Sequence, residues 1–293
     1  MHEFEMSDLG TILGIEMVNT CDGIFISQKK YIGEILDRFL MKDCDAVSTP
    51  IELNLKLNKD YEGKKVDSTL YKQIVASLMY LTATRPNIMY SMSLISRYME
   101  NPIEMHLLVA KRILCYLQGT RDYGIFYRNG EKPTLLGFTD SIYAGDQDDR
   151  RSPSGYVFML GTAAISWSSE KQRIFTLSSK EAEFIVTTTC ACQAIWFRKI
   201  LEELKFKQSK ATTVFCDNNS AIKLSRNSVL HGRSKHIDVK FYFLRDLTNG
   251  GVINLKFCRS DEQLVDILTK PLKPSVFQHL RRSIGVCTQE DPV

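Results

Sequence analysis

The stretch LLGFTDSIYAGDQDDRRSPSGYVFML, residues 135–160, decides the fold. Two apolar runs, LLGFT and GYVFML, flank a loop crowded with Gly, Asp, Arg and Ser, as two short β-strands joined by a polar connection would. The first run ends on Asp140, which puts an acid at a strand end. A third strand-like run, AAISW (163–167), comes next, and then a long helical stretch from about Ser179 to Leu204. After it come strand TVFCD, a short helix from Asn218, another from Lys235, strand VINLKF and a last helix over Glu262 to Leu268. Three strands, helix, strand, helices, strand, helix is the element order of an α/β, ribonuclease H-like mixed sheet with flanking helices. Order alone leaves other α/β folds open.

Toward the N-terminus the period changes to helical. Leu70, Ile74, Leu78 and Leu81 repeat on one face, as do Ile88, Met92, Ile95 and Met99 after Pro86. Leu107, Ala110, Ile113, Leu114 and Leu117 follow, stopped by Gly119. Before these, TILGIEMV and GIFIS around Asp22-Gly23 predict a β-hairpin. A helix follows it, which Ser27 can cap, and residues 49–68 read as a polar loop. The chain up to about Tyr123 is therefore mostly helical, and strand-like runs take over from there.

Four acids stand at element boundaries in the α/β part: Asp140, Glu183 in SSKEAEF, Asp217 and Asp266. Two end apolar strands and two open helices. Such a set can gather on one ledge and hold a pair of Mg²⁺ ions, with Mn²⁺ as a substitute, for phosphodiester cleavage. Glu181 competes with Glu183, because two residues apart on a helix is roughly 200° and only one of them can face inward. Periodicity leaves that choice open. Glu181 would otherwise serve the helix N-terminus. His236 is a candidate general base or product-release group, set against a plain helix-start role. Arg150, Arg151 and Lys171 could grip a nucleic-acid backbone, although Asp146, Asp148 and Asp149 beside them offset part of that charge.

Among 293 residues, 44% are hydrophobic and 25% charged, with a net charge of +4, an ordinary globular balance that tolerates a nucleic-acid partner without requiring one. The eight cysteines show no zinc-ligand spacing and are expected as buried reduced thiols. No apolar run of membrane-spanning length and no signal-peptide pattern is present, so the expectation is a cytoplasmic protein without a membrane partner.

The motifs LGIEM, GIFISQKKYIGEIL, ASLMYLTATRPNIMYSMSLISRYMENP, AKRILCYLQGT, DDRRSPSGYVFMLG, ISWSSEKQ, LSSKEAEF, CDNNSAIKL, KHIDVKF and VDILTKPL resemble the C-terminal part of the Pol polyprotein of copia-type LTR retrotransposons. The resemblance runs over essentially the whole chain. It implies that residues 1 to about 128 are the end of a reverse transcriptase, from its primer-grip hairpin through thumb and connection helices, that a ribonuclease H-like domain follows over 129–275, and that 276–293 are a C-terminal tail. It also implies that Asp140, Glu183, Asp217 and Asp266 are the metal-binding carboxylates, with Glu183 rather than Glu181 in the catalytic position. The implied substrate is an RNA–DNA hybrid, and the implied partner is the remainder of the Pol polyprotein. The Tyr-x-Asp-Asp motif of the polymerase does not occur, so DNA synthesis is not expected. Where the family usually has Ala-Asp-Trp after the first aspartate, this chain has Ser141, Ile142 and Tyr143. The alternative expectation is a catalytically silent, truncated retroelement remnant that keeps the fold and at most binds nucleic acid.

Overall fold

The computed structural model describes residues 8–60, 62–130, 132–226 and 235–291; the side chains of 8–12, 221, 224–226 and 235–238 lie outside the description. In chain order the elements are β1 (Asp8–Ile12), β2 (Ile15–Asn19), β3 (Gly23–Ser27), α1 (Lys29–Arg38), α2 (Ser68–Leu81), α3 (Met89–Ser96), α4 (Glu104–Gln118) and β4 (Tyr123–Arg128). Then come β5 (Leu135–Ser141), β6 (Pro153–Leu160), β7 (Ala163–Lys171), α5 (Ser179–Glu203), β8 (Thr212–Cys216), α6 (Asn219–Arg226), α7 (Lys235–Asn249), β9 (Ile253–Phe257), α8 (Asp266–Thr269), α9 (Pro274–Ser283) and β10 (Val286–Thr288). Two compact units form: Met1–Glu131, Thr162–Ala164 and Lys270–Val293 make the first, and Lys132–Gly161 with Ile165–Thr269 the second.

In the first unit a sheet of order β1-β2-β3-β4-β10 accompanies helices α1 to α4 and α9. The stretch read as one strand, TILGIEMV, is two, because Leu13 and Gly14 both take positive φ (51° and 75°) and turn the chain back. Two consecutive positive φ angles make the tight hairpin turn whose twist matches its strands. The Asp22-Gly23 hairpin is present, with β2 and β3 antiparallel. Ser27 does not cap α1; Gln28 holds that position without a side-chain bond. Asp67 does cap α2, accepting from the Thr69 amide at 2.8 Å. Residues 276–293, expected as a tail, carry most of α9 and all of β10, and β10 pairs antiparallel with β4.

The second unit holds a sheet of order β7-β6-β5-β8-β9. Strand β5 runs antiparallel to β6 and parallel to β8, which runs parallel to β9. The connection from β7 to β8 passes through α5 and returns the chain to the far side of β5, where β8 pairs parallel. Antiparallel strands giving way to parallel ones across a central first strand, with α5 covering one face, is the ribonuclease H-like arrangement. Its core gathers Leu135, Phe158, Phe184, Cys190, Val214, Leu244 and Leu255. At Gly137 a Cβ would sit 3.0 to 3.3 Å from Phe158, Val214 and Cys190, so the absent side chain lets α5 and β5 approach closely. Among the described residues no helix is long and apolar enough to cross a membrane.

Candidate metal and nuclease site

Strand β5 delivers Asp140 at its C-terminal end, and β8 ends immediately before Asp217. Parallel neighbours end on the same side of a sheet, and the register Thr139 opposite Cys216 puts Asp140 level with Asp217. Helix α5 then decides between the two glutamates. Ser178 accepts from the Glu181 amide at 3.2 Å, and Glu181 reaches back to the Leu177 amide at 2.8 Å, so Glu181 belongs to the helix start. One half-turn on, Glu183 is buried and faces β5, accepting from the Ser141 amide at 2.9 Å.

The second oxygen of Glu183 lies 3.8 Å from the Cys216 thiol, and one ligand atom each from Glu183, Cys216 and Asp217 fall within 4.8 Å of one another. Burial, with Asp140 and Asp217 adding repulsion, pushes the Glu183 carboxyl up to about 9. Burial and the neighbouring Glu183 likewise push the Cys216 thiol up to about 12. The group thus offers the carboxylate oxygens of Glu183 and Asp217 together with one sulfur, that of Cys216. Hard oxygens around a concentration of negative charge fit a hard divalent cation.

Asp266 opens α8, is buried, and comes to the same end of β5 through the packing of its segment. Gly155, the register partner of Asp140 on β6, makes room for it: a Cβ there would stand 3.2 Å from both Val265 and Leu268. Desolvation first, then Glu262, and behind them Asp217 and Asp266 push the Cys258 thiol up to about 11. The structure thus brings the four acids to one end of one sheet.

The basic candidates are placed differently. Lys171 bonds Asp149 at 2.8 Å and Asp146 at 3.3 Å, and only 24% of its side chain is exposed. Arg151 lies over the Phe175 ring at 4.8 Å and 3.8 Å from Asp149, while Arg150 is exposed with φ of 56°. Lys171 and Arg151 therefore tie the β5–β6 loop together. The side chain of His236, at the start of α7, lies outside the described residues. Cys21 and Cys192 are exposed rather than buried, and Trp196 is 52% exposed.

Over 280 residues, 95% of this chain, the sequence is 39% identical to the retrovirus-related Pol polyprotein from transposon RE1 of Arabidopsis thaliana. The chain belongs to the Pol family of copia-type retrotransposons. It spans 19% of that Pol polyprotein's length. A shorter relative, an uncharacterized mitochondrial protein of Arabidopsis thaliana, is 36% identical over 66% of this chain and 81% of its own length. No family model matches. Among solved structures, an RNase H1 in complex with an RNA/DNA hybrid aligns with 13% identity and a TM-score of 0.36, covering 46% of this chain and 94% of that one.

Three polar side chains of the Pol segment brace the acids without having been singled out in the sequence. Gln172, buried, donates from Nε2 to the Ala182 carbonyl at 2.9 Å and to the Ser141 hydroxyl at 3.3 Å, joining α5 to β5. Gln263 donates to the Thr139 carbonyl at 2.9 Å, and the Thr269 hydroxyl donates to Oδ2 of Asp140. The spacing of Gln263, Asp266 and Thr269, three residues apart each time, was the available signal.

Proposed function

We propose that the second unit is a divalent-metal-dependent ribonuclease that cuts the RNA strand of an RNA–DNA hybrid. The observation that carries this reading is Glu183: a buried carboxylate aimed at Asp140 and Asp217, its charge disfavoured by both. Clustered acids of that kind are costly without a cation and stabilised with one. Asp140, Glu183, Asp217 and Asp266 would hold the ions. Two such ions, when bound, stabilise the attacking and leaving oxygens of phosphodiester cleavage. The chain's own contribution is to keep the four carboxylates in fixed directions, with the Ser141 amide on Glu183 and the Thr269 hydroxyl on Asp140. In an intact element the partner is the rest of the Pol polyprotein.

A second reading, a silent remnant, draws on Ile142, whose amide donates to the Pro153 carbonyl at 2.8 Å and which brings no further acid beside Asp140. One assay separates the two. A labelled hybrid is incubated with the purified chain in Mg²⁺ and in EDTA, beside Asp140→Asn, Glu183→Gln and Glu181→Gln. Cleavage only with the metal, abolished by Asp140→Asn, reduced at least about tenfold by Glu183→Gln and little changed by Glu181→Gln, supports the nuclease. Equal cutting in EDTA, or near wild-type activity in Asp140→Asn, rejects the site, and no cutting by the wild type favours the remnant.

A further inference from the structure

The segment that carries Asp266 meets β5 twice, once on each side of that acid. Gln263, fully buried, hooks the Thr139 carbonyl at 2.9 Å, and Thr269, 1% exposed, donates its hydroxyl to Oδ2 of Asp140. We propose that Thr269, seconded by Gln263, is a positioning residue that fixes the Asp140 carboxylate in rotation and sets its distance to Asp266. The inference rests on reading the second unit as a metal-dependent nuclease.

A threonine hydroxyl has one proton. Its two acceptors here are Asp140 Oδ2 and the Val265 carbonyl, and the latter, at 3.3 Å, is the more distant. The carboxylate therefore takes the proton in a charge-assisted bond, away from water, where such a bond is strong. Asp140 would otherwise turn about its side-chain bonds at the end of a strand. With one lone pair of Oδ2 occupied, its remaining lone pairs keep a set direction.

The same contact limits the helix. Asp266 and Thr269 are three residues apart, so a threonine held on Asp140 leaves Asp266 one helical step away along α8. Gln263 pins the other end of the segment to the residue preceding Asp140, and Gly155 leaves the clearance for Val265 and Leu268 between the two contacts. Two acids from different elements thereby stand at a separation set by hydrogen bonds rather than by their own repulsion. A plain structural role for Thr269 would need only its packing, which valine reproduces.

The test compares the wild type with Thr269→Val, which keeps the volume and loses the donor, and Thr269→Ser, which keeps the donor. Mn²⁺ binding is measured by calorimetry, and hybrid cleavage is resolved into kcat and KM. Thr269→Val is expected to weaken Mn²⁺ binding and lower kcat by about 10–100-fold, the usual cost of losing a residue that orients a metal ligand. KM for the hybrid should stay unchanged, and Thr269→Ser should stay close to wild type. Wild-type Mn²⁺ affinity and kcat in Thr269→Val overturn the proposal, as does equal impairment of both variants. Should Thr269→Val not fold, Gln263→Met carries the test: weaker Mn²⁺ binding supports the proposal and unchanged binding overturns it. A wild-type chain that neither takes up Mn²⁺ nor cuts the hybrid overturns the nuclease reading and this inference with it, an outcome distinguished by failure of the wild type itself.

Discussion

Glu183 shows how much one residue's surroundings say that its letter does not. Its carboxyl is held near 9 when folded, against an ordinary value of 4.5 in the unfolded chain, chiefly by burial and then by Asp140 and Asp217. Between those values the folded state keeps a proton that the unfolded state gives up. The unfolded state binds fewer protons there, so this group's contribution to stability is full below about 4.5 and is lost as pH rises through about 9. Both tryptophans, Trp167 and Trp196, lie in the second unit, so tryptophan fluorescence reports its unfolding. In EDTA the fluorescence Tm of the wild type should fall relative to that of Glu183→Gln as pH goes from 5 to 9, and added Mg²⁺ should restore most at the alkaline end. Parallel curves for the two proteins would mean that Glu183 ionises freely. The sequence reached the letter but not this state. Spacing on a helix leaves Glu181 and Glu183 equivalent; the family resemblance favours Glu183, and the capping of α5 by Ser178, which draws Glu181 to the helix start, supplies the physical reason.

At the scale of elements, the second unit was legible because its signals are local. The short apolar runs LLGFT and GYVFML, the Ser-x-x-Glu start of α5 and the acid-ended strands all lie within a few residues of what they specify. The docking of α8 was not legible, because it depends on a missing side chain in another strand. Gly155 faces the Ser168 carbonyl, Val265 and Leu268, and a Cβ would come within 2.8 Å of the first and 3.2 Å of the others. The nearest atom is backbone and cannot rotate away. Gly155→Val is therefore expected to push the 265–268 segment off β6, destabilising the unit by about 1–3 kcal/mol as overpacked sites do. Asp266 moves with the segment, so Mn²⁺ affinity should drop as well. A Gly155→Val chain with unchanged melting and unchanged Mn²⁺ binding would show that α8 docks without that clearance. TILGIEMV failed for a related reason: the apolar run continues through Leu13, whose positive φ no periodicity reports.

Across the whole molecule, the segment least legible in sequence is the last one. Residues 276–293 read as a tail because α9 is short and the three-residue β10 has no repeat to recognise, yet β10 pairs with a strand some 160 residues earlier, Val286 opposite Ile125. The Phe126 amide also bonds the Gly285 carbonyl at 3.0 Å. Phe277, Leu280, Ile284 and Val286 are all buried, and the Phe277 ring meets Tyr116 of α4 edge-on at 5.6 Å. Burying one such side chain stabilises by about 1.5–3 kcal/mol, so four contribute on the order of 6–12 kcal/mol as an upper bound. Domains of this size are stable by roughly 5–15 kcal/mol, so the segment matters to the first unit as a whole rather than to one edge. Ending the chain after Thr269 should therefore abolish slow hydrogen exchange at the Ile125 and Phe126 amides, whereas ending it after Thr288 should leave that protection in place. Persistent protection of β4 in the shorter chain would mean that the first unit's core closes without α9 and β10.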